Sequence, residues 1–128
     1  MTLLVSDLGA TEALDTFLNQ TLKMRLFSND KIPAEGDTIG DYTEISGGGY
    51  ALVSLDYADW TIAAKIALYL AIDFSFSGTT DAPGTVYGYT ITDDSDVLLW
   101  AERFPEAVLP FIPTTGSVVR ITPRLEAD

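Results

Sequence analysis

The sequence predicts a mainly β protein, an antiparallel β-sandwich or small barrel with one short helix near its N-terminus. The first observation is residues 68–76, LYLAIDFSF, in which every second side chain is large and apolar. Alternation with a period of two is typical of a strand with one buried face, which needs a second layer to cover it. The second observation is that six to eight such short segments recur about every ten residues, with turn-forming residues between them.

The composition indicates a single small domain and restricts the chemistry that its side chains can perform. Its 128 residues are 47% hydrophobic, which is enough to form a core without a metal or a disulfide. We expect an N-terminal arm with a short helix at residues 1–21 and a β-sandwich domain at residues 22–128. There is no His and no Cys, which excludes imidazole-dependent triads, thiolate chemistry and Cys/His zinc sites.

Charge and hydropathy restrict the partners. Nineteen acidic and seven basic residues give a net charge of −12, which disfavours nucleic acid and anionic membrane surfaces. The N-terminus lacks the basic start of a signal peptide, and the longest apolar run is shorter than a membrane-spanning helix. We therefore expect a product made in the cytoplasm, with no membrane partner and no nucleic-acid partner.

The helix is predicted at residues 11–20. Thr11 is a suitable N-cap, with Asp7 as an earlier alternative, and the apolar side chains that follow recur at helical spacing. Residues 3–5 before it are predicted as a short strand or an extended arm. Because a short helix is marginal alone, it must pack on the sheet or on a partner. The candidate interface formed by the arm and the helix stripe consists of Leu3, Leu4, Val5, Leu14, Phe17 and Leu18.

The predicted strands follow in order along the rest of the chain. They are residues 22–28, 50–55, 60–62, 68–76, 85–92, 97–104 and 117–122, and residues 124–128 form a tail. Residues 46–49 are predicted as a flexible turn, and residues 31–41 as a polar loop. Gly88 marks either a bulge or a close approach of another backbone. The predicted core includes Leu22, Met24, Leu26, Leu70, Ile72 and Phe74.

Four groups of residues are candidate ligand or catalytic sites, and each has a simpler structural interpretation. The acidic run at Asp93, Asp94 and Asp96 offers oxygen ligands for calcium, but it lacks the Gly and distal Glu of an EF-hand loop and fits a hairpin tip. The glycines at residues 47–49 lack the Lys that follows them in a phosphate loop. The candidate carboxylates for a catalytic pair are Glu44, Asp73, Glu102 and Glu106, but with 19 acidic residues such pairs are expected by chance. For Trp60 and Trp100 the alternatives are stacking on a sugar and packing in the core. The sequence therefore predicts no catalytic residue, no cofactor and no metal.

Several segments also match a known type in order and spacing. They are residues 22–33 (LKMRLFSNDKIP), 41–44 (DYTE), 48–51 (GGYA), 87–93 (YGYTITD), 98–104 (LLWAERF) and 121–123 (ITP), with Trp60 between them. Together they resemble small virion proteins of tailed bacteriophages. The resemblance implies a capsid cement or decoration protein, or alternatively a tail, baseplate or fibre-associated protein. It implies localisation in the virion and no enzymatic activity.

The same resemblance implies partners. We expect a homo-oligomer, a trimer, that contacts the major capsid protein or another virion protein. From a different class, a carbohydrate-binding β-sandwich module that uses exposed Trp and Tyr remains an alternative.

Overall fold

The computed structural model describes residues 6–109 and 111–127, and within them one α-helix precedes nine short strands. The elements are α1 (Asp7–Leu18), β1 (Leu22–Phe27), β2 (Val53–Leu55), β3 (Trp60–Ala63), β4 (Ile66–Tyr69), β5 (Ile72–Ser75), β6 (Gly88–Thr92), β7 (Leu98–Arg103), β8 (Val118–Ile121) and β9 (Arg124–Glu126). All described strand pairs are antiparallel. The prediction of a mainly β, antiparallel fold with one helix is confirmed, and the architecture is that of a small β-sandwich.

The largest sheet has the strand order β2-β1-β6-β7. Strand β1 shows why it forms, since its apolar residues alternate with Lys23 and Arg25, and the apolar ones are fully buried. Strand β6 lies between β1 and β7 and is buried along its whole length. Gly88 begins β6, and a Cβ there would lie 2.1 Å from the backbone oxygen of Glu102. The close approach predicted at Gly88 is confirmed, and no larger residue fits this crossing.

The second layer is a bent ribbon in which β4 pairs with β9 and β5 pairs with β8. The Tyr69 N–H donates to the Pro123 carbonyl at 3.0 Å, and the next paired residues are Ile72 and Ile121. Two residues, 70 and 71, therefore lie opposite Thr122 alone, which is the arrangement of a β-bulge. Pro123 has no N–H to donate, so a regular ladder does not continue through this point.

This bulge corrects the prediction of one unbroken strand at residues 68–76. An extra residue reverses the alternation, so Tyr69 is buried before the bulge, whereas Ile72 and Phe74 are buried after it. Leu68 and Leu70 are 43% and 64% exposed, respectively. Leu70 was predicted to lie in the core, and that prediction is wrong. Residues 124–126, predicted as a tail, form β9.

The helix begins four residues before the predicted start. Ser6 is the N-cap, and its hydroxyl accepts a hydrogen bond from the Gly9 N–H at 3.1 Å. The Thr11 hydroxyl instead accepts from the Lys65 N–H at 3.1 Å, which ties the helix to the β3–β4 turn. Leu14 and Leu18 are buried in the same core as β1 and β5. The helix is thus held by packing on the sheets.

Candidate interaction surface

The acidic hairpin tip between β6 and β7 is held by its own backbone and by cations of β1. Asp93 accepts hydrogen bonds from the Ser95 and Val97 N–H groups at 2.9 and 3.0 Å, which fixes the turn. The Arg25 guanidinium donates to Asp96 at 2.8 Å and holds the pKa of that carboxyl below its usual value. Among residues 6–109 and 111–127, no three acidic side chains converge as a metal site requires.

Arg25 is the most deeply buried cation of this region, with its side chain 12% exposed. Its guanidinium also donates to the Thr92 hydroxyl at 2.7 Å and lies 3.7 Å from Glu44. It lines a cavity of about 240 Å³ together with Tyr42 and Glu44. Because two carboxylates face this single positive charge, the cavity offers no net positive charge to an anion.

The four carboxylates that are candidates for a catalytic pair each accept hydrogen bonds from a different residue. None of the hydrogen bonds found for them joins two of the four. The donors are the Tyr50 hydroxyl to Glu44 at 2.7 Å, Arg120 to Asp73 at 2.7 and 2.9 Å, the Tyr89 hydroxyl to Glu102 at 2.6 Å, and Arg103 to Glu106 at 3.2 Å. The structure therefore gives each of them a stabilising contact of its own.

The three glycines at residues 47–49 have φ values of +77°, +63° and +80°. This left-handed turn lies against residues 77–81, and a Cβ on Gly48 would lie 2.7 Å from the Gly78 carbonyl oxygen. The Asp81 N–H donates to the Ser46 carbonyl at 2.8 Å in the same contact. The glycines are needed for close packing of two loops, which is a structural role.

The two tryptophans have different environments. Trp60 is 8% exposed and packs edge-on against Tyr69, with 5.0 Å between the ring centroids, so it presents no face to a sugar. Trp100 is half-buried and lies 6.1 Å from the Phe17 ring. Together with Tyr42 and Asp37 it lines a pocket of about 280 Å³. Trp100 is therefore the tryptophan to replace in a test of the sugar-binding hypothesis.

Two of the helix residues predicted to form an interface are buried inside the protein. Leu14 and Leu18 are 7% and 0% exposed and pack inside the protein, which corrects their assignment to a partner surface. Phe17 is 37% exposed and remains accessible at the end of the helix. Leu3, Leu4 and Val5 lie outside the described residues.

Every basic side chain of the protein is paired with one of its own carboxylates. All seven lie within 4.0 Å of an acidic oxygen. The pairs are Lys23 with Asp94 and Asp96, Arg25 with Asp96 and Glu44, Lys31 with Asp37, Lys65 with Asp7, Arg103 with Asp30 and Glu106, Arg120 with Asp73, and Arg124 with Glu126. The excess negative charge is therefore carried by carboxylates that these pairs do not neutralise. A partner surface that is basic or neutral suits such a protein.

An apolar groove runs beside β8, and we call it the β8 groove. It has a volume of about 300 Å³. Val108 and Val118 are each 52% exposed, although both are large aliphatic side chains. The apolar residues that line it are Phe104, Pro105, Val108, Phe111, Val118 and Val119, with Arg120 at one end. Sequence reasoning missed this surface. The available signal was the run of apolar residues between the prolines at 105 and 113.

No family model matches the chain, and no curated protein or solved structure matches it. Among the described residues, no helix is long and apolar enough to cross a membrane.

Proposed function

We propose that this protein is a structural component of a tailed-phage virion, a cement or decoration subunit that binds the outer surface of the capsid and stabilises the shell. The observation that carries the proposal is the pairing of all seven basic side chains inside one acidic protein. Such a surface suits docking on a basic or neutral protein lattice. The segments that resemble virion proteins, in their order along the chain, support the choice of a phage capsid as that lattice.

The mechanism we propose is binding without chemistry. A subunit that binds the assembled shell and not its separated proteins stabilises the assembled state by mass action. The negative surface attracts the protein to a basic shell over roughly a Debye length, about 8 Å at physiological salt. Apolar contacts at the centre of the interface then hold the protein in place, and its acidic side chains lie at the rim of the interface. No catalytic residue, metal or cofactor is part of this proposal.

The proposal includes a homo-oligomer, a trimer, at symmetry axes of the shell. Phe17 at the exposed end of α1 is the described residue of the predicted interface that is accessible to a neighbouring copy. Closed symmetry would bury such apolar surface without forming fibres. Light scattering of the purified protein, and of a Phe17→Ser variant, measures the mass. A strictly monomeric protein in solution and on shells contradicts the trimer.

The test uses capsids that lack the protein. The purified protein is added to such capsids, to separated tails and to dissociated capsid protein, and each mixture is sedimented. We expect saturable binding to capsids, weakened by salt, and a higher temperature for release of the packaged genome. Binding to tails and not to capsids would assign the protein to the tail or baseplate. Binding to none of these particles would contradict a virion role.

A further inference from the structure

We propose that the β8 groove binds an extended, apolar segment of another protein, flanked by basic residues, which adds to the free edge of β8 as a further strand. This deepens the proposed function and rests on it for the source of the segment, which is the shell protein. Three features of the described residues carry the proposal: the strand edge, the apolar wall and the charge around them.

The edge of β8 is the first feature. Strand β8 pairs with β5 on one side, and within residues 6–109 and 111–127 no strand pairs with its other side. The Phe76 N–H donates to the Ser117 carbonyl at 2.9 Å, and alternate residues of an antiparallel strand point their backbone groups in opposite directions. The N–H and C=O groups of Val118 and Arg120 therefore point away from β5. They are available to an added strand.

The wall of the groove is the second feature. Phe104, Pro105, Val108 and Phe111 line the groove together with β8 and contribute aromatic and aliphatic side chains. Val108 and Val118 leave half of their surfaces exposed to water. A strand that added to β8 would cover both side chains with its own alternate residues. The groove thus selects an extended segment with apolar side chains at every second position.

The charges of the groove are the third feature. Exposed strand edges are often protected by a charged side chain. Arg120 is the charged residue of β8, but its guanidinium is held by two hydrogen bonds to Asp73 on β5. Glu106 follows Pro105 in the chain, is exposed and pairs with Arg103. Positive flanks on the incoming segment would complement the net charge of −12. A second copy of this protein would add the same negative charge, which makes it the weaker occupant.

The first experiment measures peptide binding to the intact protein. The probe is a labelled peptide in which Val and Thr alternate between paired lysines, and fluorescence anisotropy reports binding. We expect Val118→Glu and Val108→Glu to weaken binding at least about tenfold, as loss of a central contact does. Leu68→Glu is the matched control, since Leu68 is an exposed strand residue of β4, and it should leave binding unchanged. A peptide with glutamate flanks, or with a central proline that breaks the ladder, should bind at least about tenfold more weakly. Equal binding to all variants would overturn the proposal.

The second experiment places a crosslinker on the groove. The protein has no cysteine, so Val118→Cys and Leu68→Cys each carry a single attachment site for a photo-crosslinker. With capsids that lack the protein, we expect crosslinks to the shell protein from position 118 in excess over position 68.

The outcomes separate this inference from the proposed function. Binding to capsids without an excess of crosslinks from position 118 leaves the virion role intact and refutes the groove as the docking site. Absence of capsid binding, with the peptide pattern as expected, refutes the virion role and retains the groove. Crosslinks from position 118 to a second copy of this protein would assign the groove to self-association and overturn the proposal.

Discussion

Replacing either of two neighbouring aliphatic residues by alanine tests the bulge between β4 and β5. Ile72 is 7% exposed and Leu70 is 64% exposed, although a regular strand would place them on the same face. A buried large-to-small change such as Ile72→Ala should lower the free energy of unfolding by about 2–5 kcal/mol. Full burial of a leucine is worth about 1.5–3 kcal/mol, and Leu70 hides roughly a third of its surface, so Leu70→Ala should cost about 0.5–1 kcal/mol.

The assay is urea denaturation followed by tryptophan fluorescence, since the chain carries two tryptophans. The slope of free energy against urea should be the same for both variants and the wild type, which shows that the loss is one of native stability. Equal losses for Leu70→Ala and Ile72→Ala would refute the reversal of alternation. That result would restore the single strand that the sequence alone predicts.

Three further predictions concern two backbone positions and one tyrosine. A Cβ at Gly88 would lie 2.1 Å from the Glu102 carbonyl oxygen, so Gly88→Ala should lower the free energy of unfolding by at least about 1–3 kcal/mol. The control is Gly36→Ala, whose Cβ would have nothing within 4 Å, and it should leave the melting temperature nearly unchanged. Equal melting of the two variants would contradict the β6–β7 crossing. Ala64 has a φ of +50° in the β3–β4 turn, so Ala64→Gly should raise stability by about 1 kcal/mol in urea denaturation, and a loss would contradict the turn. Burial raises the pKa of Tyr50, so the stability due to its neutral form is complete below pH 10.0 and is lost as the pH rises beyond that value. Urea midpoints measured across this range should fall with pH, and less so in Tyr50→Phe, and an identical fall in both would exclude this role.

The amino-acid sequence by itself determined the features that depend on local pattern. The alternation in residues 22–27 predicted β1, because a strand that buries one face must repeat every second residue. The acidic run at residues 93–96 predicted the hairpin tip, since short polar side chains accept hydrogen bonds from nearby backbone N–H groups in turns. Because the chain has no His and no Cys, the sequence alone excluded imidazole-dependent triads, thiolate chemistry and Cys/His zinc sites.

The tertiary structure decided what depends on residues far apart in the chain. Residues 68–76 alternate without a break, and nothing within them shows that Pro123 lies opposite and forces a bulge. Likewise, the apolar stripe of α1 suits contact with a partner and contact with the protein's own sheet equally well. Only the tertiary structure shows that Leu14 and Leu18 pack in the protein's own core. The β8 groove forms between segments that only strand pairing brings together. Pairing and packing are long-range contacts, and local alternation carries no information about which distant segment provides them.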